Sequence, residues 1–140
     1  MTFAAFASPD ALTPAGSYQP GVCNIGPAEI ARRRRAGHAG LLVAVGLLAV
    51  LLAIDAPPLA RLLIFLPAAG AASGYLQAWL KFCAGFGSRG VFNFGPLGEA
   101  DEVGDADDRE RDRRKARQIG LASLGIGTVF GIVAVLLPIG

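Results

Sequence analysis

Residues 41–54 contain no charged side chain and follow closely on four consecutive arginines, Arg32, Arg33, Arg34 and Arg35. A hydrocarbon layer about 30 Å thick needs a helix of roughly 20 apolar residues, and cationic side chains belong where such a helix leaves it. This stretch therefore predicts a transmembrane helix anchored at its start. Two more apolar stretches follow, residues 59–80 and 119–140. The expected fold class is an all-α integral membrane protein with three transmembrane helices, a hairpin plus a third.

Composition agrees: 53% of the residues are hydrophobic, a load that a soluble domain of 140 residues would struggle to keep in water. A chain this short makes one domain at most. Its formal charge of +2 conceals clustering, because an acidic run over residues 99–108 lies beside a basic one that includes Arg113, Arg114, Lys115 and Arg117. Basic residues flank the first span and fill the connection between the second and third, while the connection between the first two holds only Arg61. The expected orientation has the amino terminus inside and the carboxyl terminus outside, in a bacterial cytoplasmic (inner) membrane. The basic blocks point to anionic lipid headgroups as their partners, and nucleic acid is not expected.

Five segments are expected. Residues 1–22, with Pro9, Pro14 and Pro20, read as a disordered cytoplasmic tail without the basic and apolar regions of a signal peptide. Residues 23–38 are a juxtamembrane segment, in which Pro27 suits a first helical position and Glu29 the positive end of a helix dipole. Residues 39–96 are the two-helix hairpin. Asp55-Ala56-Pro57-Pro58 makes its tight turn, because consecutive prolines cannot continue a helix. Arg61 is expected to snorkel back to the surface or to pair with Asp55, and Pro67 to kink the second helix. Tyr75 and Trp79 mark its interfacial end with Lys81 and Phe82. The glycine- and phenylalanine-rich residues 82–96 read as a non-helical interfacial segment. Residues 97–118 form a charged loop, mobile to about residue 108, that becomes helical where acids lead and bases trail, with Glu110–Arg114 or Asp107–Arg111 as surface pairs. Residues 119–140 are the third span.

Helices associate in lipid by close backbone approach, so Gly70 and Gly74 on the second span and Gly127 and Gly131 on the third are candidate packing faces. They are expected to meet each other or a copy of themselves. This supports a homo-oligomer or a larger membrane complex.

The sequence offers little chemistry. One histidine and few serines give no acid, base and nucleophile set, so no catalytic residue is assigned. Cys23, Cys83 and His38 lack the close ligand pairs of a zinc site, and the acidic run lacks the order of a calcium loop. No metal or cofactor is expected. The spans carry no ionisable residue at mid-depth, so a channel would have to be oligomeric. The internal echo is Asn24-Ile25-Gly26-Pro27 against Asn93-Phe94-Gly95-Pro96, readable either as turn chemistry used twice or as one docking surface built from Asn24, Gly26, Asn93 and Gly95.

With Asn24-Ile25-Gly26, Glu29 and the arginines ahead of the first span, a short outer turn, and Cys83 after the second, residues 23–95 resemble a small bacterial inner-membrane family. That family is the two-helix hairpin found alone or attached to some rhodanese domains. Ala84 stands where it tends to have proline, and the charged loop and third span are additions. The resemblance implies a membrane hairpin with a possible link to sulfur chemistry through Cys83. The leading functional expectation, from the glycine faces and the missing catalytic set, is a non-enzymatic scaffold or accessory subunit; the alternatives are a thiol or persulfide carrier using Cys83 and Cys23, and an oligomeric channel.

Overall fold

The computed structural model describes residues 17–138. Helix α1 is Pro27–Ala53, a 3-10 helix at Pro58–Ile64 leads into α2 at Phe65–Leu80, and a short α3 at Ala84–Arg89 precedes a two-stranded antiparallel ribbon, β1 (Val91–Phe92) with β2 (Asp101–Glu102). The chain closes with α4, Ala106–Leu136. The three stretches Pro27–Ala53, Pro58–Leu80 and Ala106–Leu136 are long and apolar enough to cross a membrane. Many of their outward side chains are large and aliphatic, Leu42 being 72% and Leu66 71% exposed.

Helix α1 runs unbroken through the arginines, with Pro27 at its first turn. It ends by a glycine-type turn without glycine: Asp55 takes a left-handed conformation (φ 54°), its N–H donates to the Leu52 carbonyl and that of Ala56 to Leu51. That six-to-one and five-to-two pattern closes a helix end, and a short polar side chain tolerates the conformation. Helix α4 is 31 residues long. Residues 118–136 of it reach about 28 Å at ~1.5 Å per residue, enough for the hydrocarbon layer, and the charged first turns project beyond.

Helix α2 is central, with α1 on one flank and α4 on the other. Each contact runs backbone to backbone at its middle. A Cβ on Gly74 would lie 2.5 Å from the Gly37 nitrogen and one on Gly40 2.8 Å from the Ala71 nitrogen, so α1 and α2 touch through bare backbone. A Cβ on Gly127 would meet the Ala69 methyl at 2.7 Å and the Phe65 carbonyl at 2.9 Å. Larger side chains fill in at the ends: Leu51, Ile64 and Ala134 at one, Phe82, Ala116 and Ile119 at the other.

Several expectations change. Gly70 is exposed and a Cβ added there would meet nothing within 4 Å, while Gly74 packs on α1 and Gly127 and Gly131 on the 62–69 stretch, so the two glycine pairs do not meet. Glycines on one α2 face four residues apart cannot serve both flanks; Ala69 takes the α4 side. Pro67 makes no interior kink, because the 3-10 lead-in shifts the α-helical start to Phe65 and leaves proline in the first turn, where no donor is needed. Arg61 is buried: its Nη1 donates to the Ala134 and Leu137 carbonyls, both at 3.0 Å, capping the carboxyl end of α4 instead of snorkelling.

The 82–96 segment contains α3 and β1, with Phe82 fully buried, because the glycines permit close packing rather than prevent order. Residues 97–108 are tied down by β2, by buried Val103, whose N–H reaches the Gly90 carbonyl at 2.8 Å, and by Asp105, whose carboxylate caps α4 through the Asp108 N–H. Glu110 pairs with Arg113 at 3.0 Å rather than with Arg114. Of the proposed tail, residues 1–16 lie outside the described residues, and residues 17–22 pack against α4 and β1.

Gly74→Ala should lower stability by about 1–3 kcal/mol through overpacking at the α1 contact, whereas Gly70→Ala should change it by no more than about 1 kcal/mol, in the stabilising direction given by helix propensity. Unfolding in detergent, followed by loss of helical circular dichroism, measures both.

Candidate functional site

Both copies of the Asn-x-Gly-Pro echo lie at the basic end of the bundle and pair with each other. The Gly26 N–H donates to the Asn93 carbonyl at 2.9 Å and the Asn93 N–H to the Asn24 carbonyl at 3.0 Å, a parallel bridge across Ile25. Gly26 is required there, since a Cβ would stand 2.9 Å from the Phe94 backbone. Gly95 donates to the Asn93 side-chain oxygen at 2.9 Å, and the Asn93 amide donates to Pro96 at 2.8 Å and to the Glu29 carboxylate at 3.1 Å.

Asn24 holds the exit of α2. Its amide donates to the Cys83 carbonyl at 3.2 Å, its side-chain oxygen accepts from the Cys83 N–H at 2.7 Å, and its own N–H donates to the Lys81 carbonyl. The side chain is fully enclosed (0% exposed). Gln77 adds a parallel tie, accepting from the Ala84 N–H at 2.8 Å while donating to Ser73. A buried amide satisfied at both its donor and its acceptor stabilises a turn that would otherwise strand backbone groups.

Charges complete the cluster. Glu29, 1% exposed, faces Arg33 at 3.1 Å and Arg32 at 3.9 Å. The Arg33 Nη2 donates to Cys83 Sγ at 2.7 Å, and the Phe86 N–H reaches the same sulfur at 3.5 Å. Cys83 is buried, so a cation and a backbone donor converge on an enclosed thiol. The Phe86 ring carries Arg33 and Arg89 at 5.7 and 5.3 Å, within cation–π range.

A second carboxylate organises the rim. Asp112 is fully buried on α4 and accepts from the Tyr18 hydroxyl and the Gly21 N–H, both at 2.7 Å. Burial and that hydrogen bond hold the Tyr18 hydroxyl well above the ordinary tyrosine value of 10.0. The protonated, donating form therefore persists below pH 10, and the contact weakens only as pH rises through the raised value. Tyr18 stacks on Phe92 with centroids 4.7 Å apart, and Phe92 lies 6.1 Å from Phe94. These rings pack on the protein rather than reach outward.

The sulfur and histidine candidates are dispersed among different partners. Cys23 Sγ contacts the Ile25 carbonyl at 3.7 Å and burial pushes its thiol up. His38 shares a 2.6 Å hydrogen bond with Tyr75. Among the described residues no group of three or more His, Cys, Asp or Glu is arranged to hold a metal. Trp79 is 77% exposed, and Arg34, Arg35, Arg114 and Lys115 likewise lie at the surface or its edge. Comparison with protein-family models, with curated proteins and with solved structures found no match.

Sequence reasoning did not single out Asp112, Gln77 or the Arg33–Cys83 contact. Glu29 and Arg33 sit four apart on one helix, a spacing that does signal a pair. Asp112 lies inside a charge run whose average character is solvated, so its burial left no mark on the sequence.

Removing the Asn24 amide, as in Asn24→Ala, should strand the Cys83 N–H, while the Cys83 carbonyl keeps the Gly87 N–H at 2.9 Å. The expected loss is about 1–3 kcal/mol, read as faster hydrogen exchange at the Cys83 and Ala84 amides than in the parent chain.

Proposed function

We propose that this chain is a small non-enzymatic accessory or scaffold subunit of the bacterial cytoplasmic membrane, with its amino terminus and basic end inside and its carboxyl terminus outside. The observation that carries the reading is how the buried polar groups are used. Asn24, Asn93 and Asp112, with half-buried Gln77, hold backbone groups, and Glu29 holds Arg33 and the Asn93 amide. That is the chemistry of a rigid platform.

The orientation follows from the basic residues, which gather at the platform and are almost absent from the opposite turn. Association with a membrane complex or with further copies is supported by the outer faces, where a Cβ added at Gly46 or Gly70 would meet nothing within 4 Å, leaving room for another helix to approach closely. A photocrosslinker placed at Gly70 in native membranes should give a discrete heavier adduct. Recovery of monomer alone would exclude the subunit reading, and an intracellular signal from a reporter fused after Gly140 would reverse the orientation.

A second reading is favoured by one contact. Arg33 at 2.7 Å from Cys83 Sγ, with the resemblance to hairpins attached to rhodanese domains, supports a thiol or persulfide carrier. Cys83 would attack the outer sulfur of a donor persulfide, forming its own persulfide as the donor leaves as a thiol. In a Cys23→Ala background, this reading expects a sulfane-sulfur label retained at Cys83 and reduced several-fold by Arg33→Gln. Failure of Cys83 to label would leave the scaffold reading alone.

A further inference from the structure

Helices α1 and α4 both lean on α2 but part from each other along one side. Between them runs a groove of about 490 Å³ open to the surrounding medium. Leu41, Val45 and Leu48 of α1 form one wall, Ile126 and Phe130 of α4 the other, and Ala68 and Ala72 of α2 the floor. Small floor residues make it deep, and its lining is almost wholly apolar.

Tyr75 closes the groove at the basic end. Its ring rests on Gly37, where any Cβ would come within 2.8 Å of it, and its hydroxyl shares the 2.6 Å hydrogen bond with His38. Arg34, His38, Leu41, Val45 and Leu48 recur at spacings of four and three, which places them along one face of α1. The apolar wall thus continues directly into a histidine and an arginine. Arg34 and Arg35 are exposed and take part in none of the ion pairs formed among the described residues, which engage Arg32, Arg33, Arg113 and Arg117.

We propose that this groove binds one acyl chain of an anionic glycerophospholipid, with the phosphate headgroup held at Arg34 and the His38–Tyr75 pair. Length fits: Ile64 to Tyr75 spans about 17 Å at ~1.5 Å per residue, close to one leaflet of a hydrocarbon layer about 30 Å thick. Charge selects the occupant. A second copy seated in this groove in the same orientation would set its own Arg32–Arg35 block against Arg34 and be repelled there, whereas a phosphodiester is complementary to it. The inference rests on the membrane reading but not on the subunit role.

The test uses the full chain purified in mild detergent, delipidated and reconstituted with phosphatidylglycerol or phosphatidylcholine, with bound lipid counted by native mass spectrometry. One phosphatidylglycerol per chain is expected, retained at least tenfold better than phosphatidylcholine. Arg34→Ser with His38→Ala should remove that preference. Val45→Trp, at an exposed groove wall, should lower retention of both lipids by about tenfold while helical circular dichroism is unchanged. Equal retention of the two lipids overturns the proposal, as does occupancy indifferent to Val45→Trp, binding of inorganic phosphate as strong as that of the lipid, or a second copy of the chain as the bound mass. A chain soluble without detergent would instead refute the membrane reading.

Discussion

Asn24 grips both peptide groups of Cys83, and much of the basic end depends on that clamp. The chain leaves α2 at Lys81 in a left-handed conformation, and Cys83 then presents, at the edge of an apolar bundle, an N–H that would otherwise be bare and a C=O that the Gly87 N–H also reaches. Unpaired polar groups in such surroundings cost several kcal/mol in transfer terms. One amide side chain from the segment before α1 satisfies both groups at once. The start of α1 is thereby fixed to the end of α2, and the antiparallel hairpin is closed at its open end as firmly as the Asp55–Pro58 turn closes the other.

The same economy governs the middle of the bundle. In lipid, helices such as these, long and apolar enough to cross a membrane, would have no hydrophobic reason to associate, and their contact would have to come from packing density. Gly37, Gly40 and Gly74 bring α1 and α2 to backbone contact, and Gly127 does so for α4 on α2. Because α2 spends alanines and glycine on both flanks, its own surface is shallow. The neighbours' larger side chains, Leu41 and Phe130 among them, therefore stand above it and leave a groove rather than a sealed three-helix core.

The three helices long and apolar enough to cross a membrane were legible because length and apolarity are displayed by the sequence without reference to partners. The arginine block and the continuous helix leading into the third span were legible for a similar local reason. What escaped was long-range. That Asn24 would meet Cys83, or the two Asn-x-Gly-Pro segments each other, depends on where α2 ends, and turn chemistry used twice accounts for the echo without any contact between its copies. Gly70 and Gly74 looked alike by spacing, yet only rotation about the α2 axis decides which faces a neighbour. Pro67 misled because a 3-10 lead-in moved the helix start by a turn. Arg61 looked like a surface anchor until the end of α4 came within its reach.

The two ends of the bundle solve one problem by opposite means. At the Arg61 end a single buried guanidinium donates to the carbonyls at the close of α4, where a cation also complements the helix dipole. At the basic end, cations are abundant but most remain outside, and buried amides and carboxylates do the joining. Arg33 is the exception, because Glu29 neutralises it within one helical turn and lets its second nitrogen reach inward to Cys83. An uncompensated arginine at that depth would stay in solvent, as Arg34 and Arg35 do. The i,i+4 spacing of Glu29 and Arg33 thus decides which member of the arginine block turns into the protein and which remain exposed.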